Sequence, residues 1–96
     1  MKYLHRAHIG TEAVFQQASA FFGSRMAVGA QAPRRWRFQG TVGAITVAVE
    51  SDGGHSTLVV VETDQVGESE ADKLAKRFLT LLHASDDPGH QPIGAY

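Results

Sequence analysis

Residues 34–50, RRWRFQGTVGAITVAVE, decide how this chain folds. Apolar residues fall on alternate positions, as a strand with one buried face requires. The alternation changes phase midway. Trp36, Phe38, Gly40 and Val42 are even-numbered, whereas Ile45, Val47 and Val49 are odd-numbered. A strand cannot change its buried face without a turn or bulge, so the segment is two strands with a break near Gly43. Glycine at the first central position suits a type II′ turn, which predicts a two-residue loop at Gly43-Ala44. That register pairs Val42 with Ile45, Gly40 with Val47 and Phe38 with Val49 on one face. On the other face it pairs Thr41 with Thr46, Gln39 with Ala48 and Arg37 with Glu50.

Working outward, Ser51-Asp52-Gly53-Gly54 is a second turn signal, and His55 to Thr63 (HSTLVVVET) returns as a β-branched strand. Either loop that suits this turn puts Leu58 and Val60 on the core face and Val59 and Val61 on the outer face. Glu62 shares the parity of Leu58 and Val60, so it is expected to point inward at the end of the sheet. On the N-terminal side, Tyr3 to Ile9 is a short strand with Tyr3, Ala7 and Ile9 on one face and Arg6 and His8 on the other. Thr11 can cap a helix with Glu12 in its first turn, and Val14, Phe15, Ala18, Phe21 and Phe22 form its apolar stripe before Gly23 stops it. Ser24 to Pro33 has no clear period and is expected to be a loop, with room for a short edge strand.

A second helix follows Asp64 to Glu68, with Ser69 or Asp64 as candidate cap and Glu68, Glu70 and Asp72 crowding its start. Ala71, Leu74, Ala75, Phe78, Leu81 and Leu82 make its stripe, while Asp72 and Lys76 form an i, i+4 pair on the outside. From Ser85 the chain (SDDPGHQPIGAY) reads as an irregular tail. The expected architecture is a single α+β domain over residues 1–96. It has two layers in the order β-α-β-β-β-α, with an antiparallel sheet and a long C-terminal helix. The alternative is a three-layer arrangement in which one helix covers the outer sheet face.

Composition narrows the function classes. A chain of 96 residues, 43% hydrophobic and 20% charged, is ordinary globular material with room for one core. A formal net charge of -1 predicts no strong pull toward nucleic acid or anionic lipid. The absence of cysteine excludes disulfides and thiolate chemistry, and no apolar run suits a signal peptide or a membrane span, so the expected location is cytoplasmic. Charge is polarised along the chain. Ala13 to Val49 holds no acid but contains Arg25, Arg34, Arg35 and Arg37, whereas the charged residues of Glu50 to Asp72 are all acids.

An opening strand running into a short helix (HIGTEAVFQQASAFFG), a meander, and a long amphipathic helix (ESEADKLAKRFLTLL) resemble the helix-grip fold of the Bet v 1, START and polyketide-cyclase families. The resemblance is one of order and pattern over about Tyr3 to His83. It implies an apolar ligand held between sheet and last helix, in a pocket that is small or completed by a second copy, because this chain has fewer strands than those families.

Trp36, Phe38 and Phe78 are therefore the candidate ligand-binding residues, with Glu62 placed to orient a ligand. The same aromatics are also what a small core needs. Arg34, Arg35 and Arg37 suggest nucleic-acid binding, since arginines grip phosphates and aromatics stack bases. In this register, however, the aromatics and the arginines face opposite ways. His5 and His8 also fall on opposite faces of a strand, His55 lies at a turn, and His83 and His90 lie toward the end, so no metal site is expected. No nucleophile elbow or phosphate loop is present, and neither an enzymatic activity nor a cofactor is predicted. Ala48, Val59, Val61, Thr41 and Thr46 are expected to leave a mildly apolar outer face, which suggests a protein partner or a homodimer. A small binding module for an apolar ligand leads, and a protein-interaction module without a pocket follows.

Overall fold

The computed structural model of the protein describes residues 1–51 and 56–86. In chain order these form β1 (Lys2–Ala7), α1 (Thr11–Gly23), β2 (Ala27–Ala32), β3 (Arg35–Gly40), β4 (Gly43–Ser51), β5 (Thr57–Thr63) and α2 (Glu70–Asp86). The strands make one antiparallel sheet in the order β1-β5-β4-β3-β2. Both helices lie on the same face of it, giving the expected two-layer α+β arrangement. The room left for an edge strand after α1 is taken by β2, which pairs only with β3. α2 runs on through residues 85 and 86, which were expected to begin the irregular tail; the rest of that tail, from 87 onward, and the centre of the second turn lie outside the described residues.

The phase change in residues 34–50 is a hairpin, but its loop is Thr41-Val42, since Gly40 pairs with Gly43 and Phe38 with Ile45. The expected register is therefore displaced, and Arg37 lies opposite Thr46 rather than Glu50. The displacement moves each partner by an even number of residues, which keeps Trp36, Phe38, Ile45, Val47 and Val49 on one face. Gly43 decides the matter, because it adopts φ +124° just after the loop rather than within it. A Cβ there would lie 2.7 Å from Asp64 Oδ1 and 2.8 Å from Gln65 Cγ. Asp64 occupies that space because its carboxylate accepts the Ala44 N–H at 2.9 Å. That hydrogen bond, joined by the Gln65 amide, holds the carboxyl below the usual aspartate range. Gly43→Ala is expected to cost about 1–3 kcal/mol, read as a lower urea midpoint with an unchanged m value.

In β5 the expected faces are reversed. Val47 pairs with Val61 and Val49 with Val59, and all four are buried. Ser51 pairs with Thr57, so five residues separate the strands, and an odd-numbered connection reverses the parity that an even one would give. Leu58, Val60 and Glu62 consequently lie on the outer face, and Glu62 does not point into the core.

The helices supply the other half of the core. Phe22 packs against Phe38 at 5.2 Å and Phe78 at 5.0 Å between ring centroids, and Phe15 packs against Trp36 at 4.8 Å. The stripe of α1 is as expected, but its cap is Gly10 rather than Thr11, which is the first helical residue. Ser69 caps α2, its Oγ accepting the Asp72 N–H at 3.2 Å. Leu79 replaces Leu81 in the buried stripe of α2, and Leu81 is half exposed. The buried face of α2 also takes in Asp72, which accepts the Tyr3 hydroxyl.

Candidate interaction surface

With both helices on one face, the opposite face of the sheet has no layer over it among the described residues. Its side chains follow from the registers. One row across the sheet is Leu4, Val60, Ala48 and Arg35; the next is Lys2, Glu62, Thr46 and Arg37. A third row holds Arg6, Leu58 and Glu50. Leu4 is 60% exposed, an unusual position for a leucine in a strand, while Leu58, Val60 and Ala48 are half-buried by their neighbours. The expected outer patch of Ala48, Val59, Val61 and Thr46 is thus rebuilt. Val59 and Val61 leave it for the core, and Leu4, Leu58 and Val60 take their place. Thr41 sits in the hairpin loop. The signal for Leu4 was present in the sequence as its shared parity with Arg6, opposite to Tyr3 and Ala7.

Trp36, Phe38 and Phe78 are each buried in the core. Phe22 fills the space between Phe38 and Phe78, so these two residues expected to surround a ligand touch one another through its ring, while Trp36 packs on Phe15. Trp36 also forms one wall of an open groove of about 230 Å³ shared with Thr11, Glu12, Phe15, Gln31 and Pro33. Neither Phe38 nor Phe78 lines it. Arg35 and Arg37 project from the outer face while Trp36 and Phe38 lie inside, so no surface among the described residues combines these arginines with those rings. Arg34 lies in the turn before β3, where its carbonyl accepts the Val49 N–H at 3.0 Å and prolongs the β3–β4 pairing.

A polar cluster lies where β1 meets the start of α2. Asp72 is fully buried. Its carboxylate accepts the Tyr3 hydroxyl and the Glu68 N–H at 3.0 Å, and lies 3.2 Å from Lys76 Nζ. The i, i+4 pair expected on the outside is therefore half inside, because Tyr3 supplies a donor that the carboxylate can follow inward. The Tyr3 hydroxyl, then the Glu68 N–H and Lys76, hold the Asp72 carboxyl below its usual range against the opposing effect of burial. Burial first, then the Asp72 contact, pushes the Tyr3 phenol up. The Asp72 hydrogen bond raises Lys76. Glu68 adopts φ 70°, a left-handed conformation that side chains other than glycine rarely take, and Asp72 holds its N–H there. The pattern Ser69-x-x-Asp72 was the sequence signal for this cap. The cluster fastens α2 to β1.

His5 is buried and its ring meets that of His83 edge to face at 6.3 Å, whereas His8 is exposed just beyond the end of β1. No group of three or more metal-ligating side chains forms among the described residues. None of the described helices is long and apolar enough to cross a membrane. No family model, curated protein or solved structure matches the chain.

Proposed function

We propose that the chain is a small, non-enzymatic, cytoplasmic interaction module that forms a homodimer through the bare face of its sheet. The observation that carries this is the adjacent set Leu4, Val60, Leu58 and Ala48 on a face without helices, with Leu4 mostly in solvent. Stacked sheets bury such rows about 10 Å apart, and exposed apolar rows ringed by charge mark association surfaces. The charges suit a second copy. A two-fold axis running along β4, between two stacked sheets, exchanges the positions of β5 and β3. Glu62 of each copy then lies over Arg37 of the other, since both belong to the row through Thr46, while Val60 lies over Arg35 and Leu4 over Ala32. Native mass spectrometry and sedimentation equilibrium of the purified chain are expected to give a dimer at micromolar concentration. Leu4→Glu is expected to give a monomer with an unchanged circular dichroism spectrum. A wild-type chain that sediments as a monomer throughout this range rules the proposal out.

The second proposal, a small apolar ligand, draws on the helix-grip resemblance and on the groove beside Phe15 and Trp36. At about 230 Å³ that groove is smaller than the ~300–1,000 Å³ usual for ligand sites, which ranks it second. The same mass spectra report it as a copurified mass.

A further inference from the structure

The sheet has two edges, and they differ in chemistry. β1 carries the exposed Lys2 and Arg6, the kind of charge that discourages strand addition. β2 is Ala-Val-Gly-Ala-Gln-Ala, with no charge and no side chain larger than glutamine, and five of its six residues are exposed. Only β3 pairs with it, so the outward half of its backbone donors and acceptors has no strand partner among the described residues. Arginines flank one end of this neutral edge, while the Arg25 guanidinium turns back over the Phe21 ring. Arg34 and Arg35 lie at its C-terminal end, Arg25 lies just before it, and no acid occurs from Ala13 to Val49. Arg34 and Arg35 are exposed and enter no ion pair among the described residues. Beside them is an open depression of about 660 Å³, lined also by Pro33 and Ala48, with Glu50 as its one acid among the described residues.

We infer that β2 is a docking edge for an extended acidic segment of a partner protein, which adds to the sheet as a sixth strand with carboxylates near Arg34 and Arg35. Strand addition draws affinity from main-chain hydrogen bonds and specificity from the flanking side chains, and both elements are present here. A second copy fits this edge poorly. Antiparallel pairing of two β2 strands with Ala27 opposite Ala32 brings no acid to Arg34 or Arg35, since residues 13–49 contain none. A bulge interrupts the β2–β3 register: Val28 pairs with Phe38 and Gln31 with Trp36, so Gly29 and Ala30 together face Arg37. A Cβ at Gly29 would lie 3.1 Å from the Arg37 carbonyl oxygen, which keeps the bulge closely packed. A nucleic-acid strand is the less favoured polyanion, because Trp36 and Phe38 face the core and offer it no stacking platform.

Arg35 and Ala48 beside this edge also belong to the row of Leu4 on the bare face, so the monomeric Leu4→Glu chain is the protein to test, and failure in that chain leaves the dimer proposal standing. Fluorescence anisotropy with a labelled peptide of alternating glutamate and valine is expected to show binding that weakens with salt. Hydrogen exchange at residues 27–32 is expected to slow in the complex. The double variant Arg34→Ala, Arg35→Ala is expected to bind about ten-fold more weakly while unfolding at the same urea midpoint. Three outcomes overturn the inference: no binding, equal binding of the lysine–valine counterpart, or binding without added protection at 27–32. Preferential binding of a thymidine oligonucleotide would likewise replace it with a nucleic-acid role.

Discussion

Phe22→Ala is expected to lower the unfolding free energy by about 3–5 kcal/mol, the range for deleting a fully buried aromatic side chain. Phe22 is 0% exposed and its ring meets three others: Phe21 at 5.0 Å, nearly perpendicular, Phe38 at 5.2 Å and Phe78 at 5.0 Å. These rings come from α1, β3 and α2, so the cavity left by alanine opens at the junction of both helices with the sheet and has no single neighbour to fill it. Domains of this size are stable by roughly 5–15 kcal/mol, so the variant is expected to be partly unfolded at ~37 °C. Trp36 is the only tryptophan and is 3% exposed, which makes its fluorescence a direct probe in urea titrations. A loss under about 1 kcal/mol would show that Phe22 is not the keystone of the core.

Asp72→Asn is expected to cost about 2–3 kcal/mol near neutral pH, the scale of charged hydrogen bonds lost from a buried group. Its pH dependence separates this from a packing effect. The folded state holds the Asp72 carboxyl below its usual value, so its contribution is complete above about pH 4 and is lost as pH falls further. The folded state raises Tyr3 and Lys76, so their contributions are complete below about pH 10 and are lost as pH rises beyond it. Denaturant midpoints measured from about pH 3 to 11 should therefore fall at both ends for the wild type. The acid limb should be shallower in Asp72→Asn. An acid limb of unchanged steepness would mean that other carboxylates set it.

Much of the fold was legible because periodicity reports local geometry. The stripe from Val14 to Phe22 and the alternation of Trp36 and Phe38 each need only their own element to be read, and each ends up in the core. The faces of β5 were not legible for the same reason in reverse. Leu58-Val59-Val60-Val61 is apolar on both parities and carries no alternation of its own. Its orientation depends on whether the preceding connection has an odd or an even number of residues. The burial of Asp72 was hidden because its helix alone offers Lys76 as a partner in solvent. Tyr3, from the far end of the sequence, supplies the donor that lets the carboxylate go inside. The apolar, inward character of Trp36, Phe38 and Phe78 was legible from their periods. Whether they enclose a space depended on Phe22, which reaches between Phe38 and Phe78 from another element.

By itself the sequence determined that the chain is an α+β domain with two amphipathic helices, a β3–β4 hairpin split by its parity, and Trp36 and Phe38 facing away from Arg35 and Arg37. These follow from side-chain periods of about 3.6 and 2, which are properties of single elements. Only the tertiary structure decided which half of β5 is buried, that Leu4, Leu58 and Val60 make the bare face, and that β2 is an uncharged edge beside exposed arginines. Each of those depends on strand register and order, which are set by loop length, by the positive φ of Gly43, and by contacts between residues far apart in the chain.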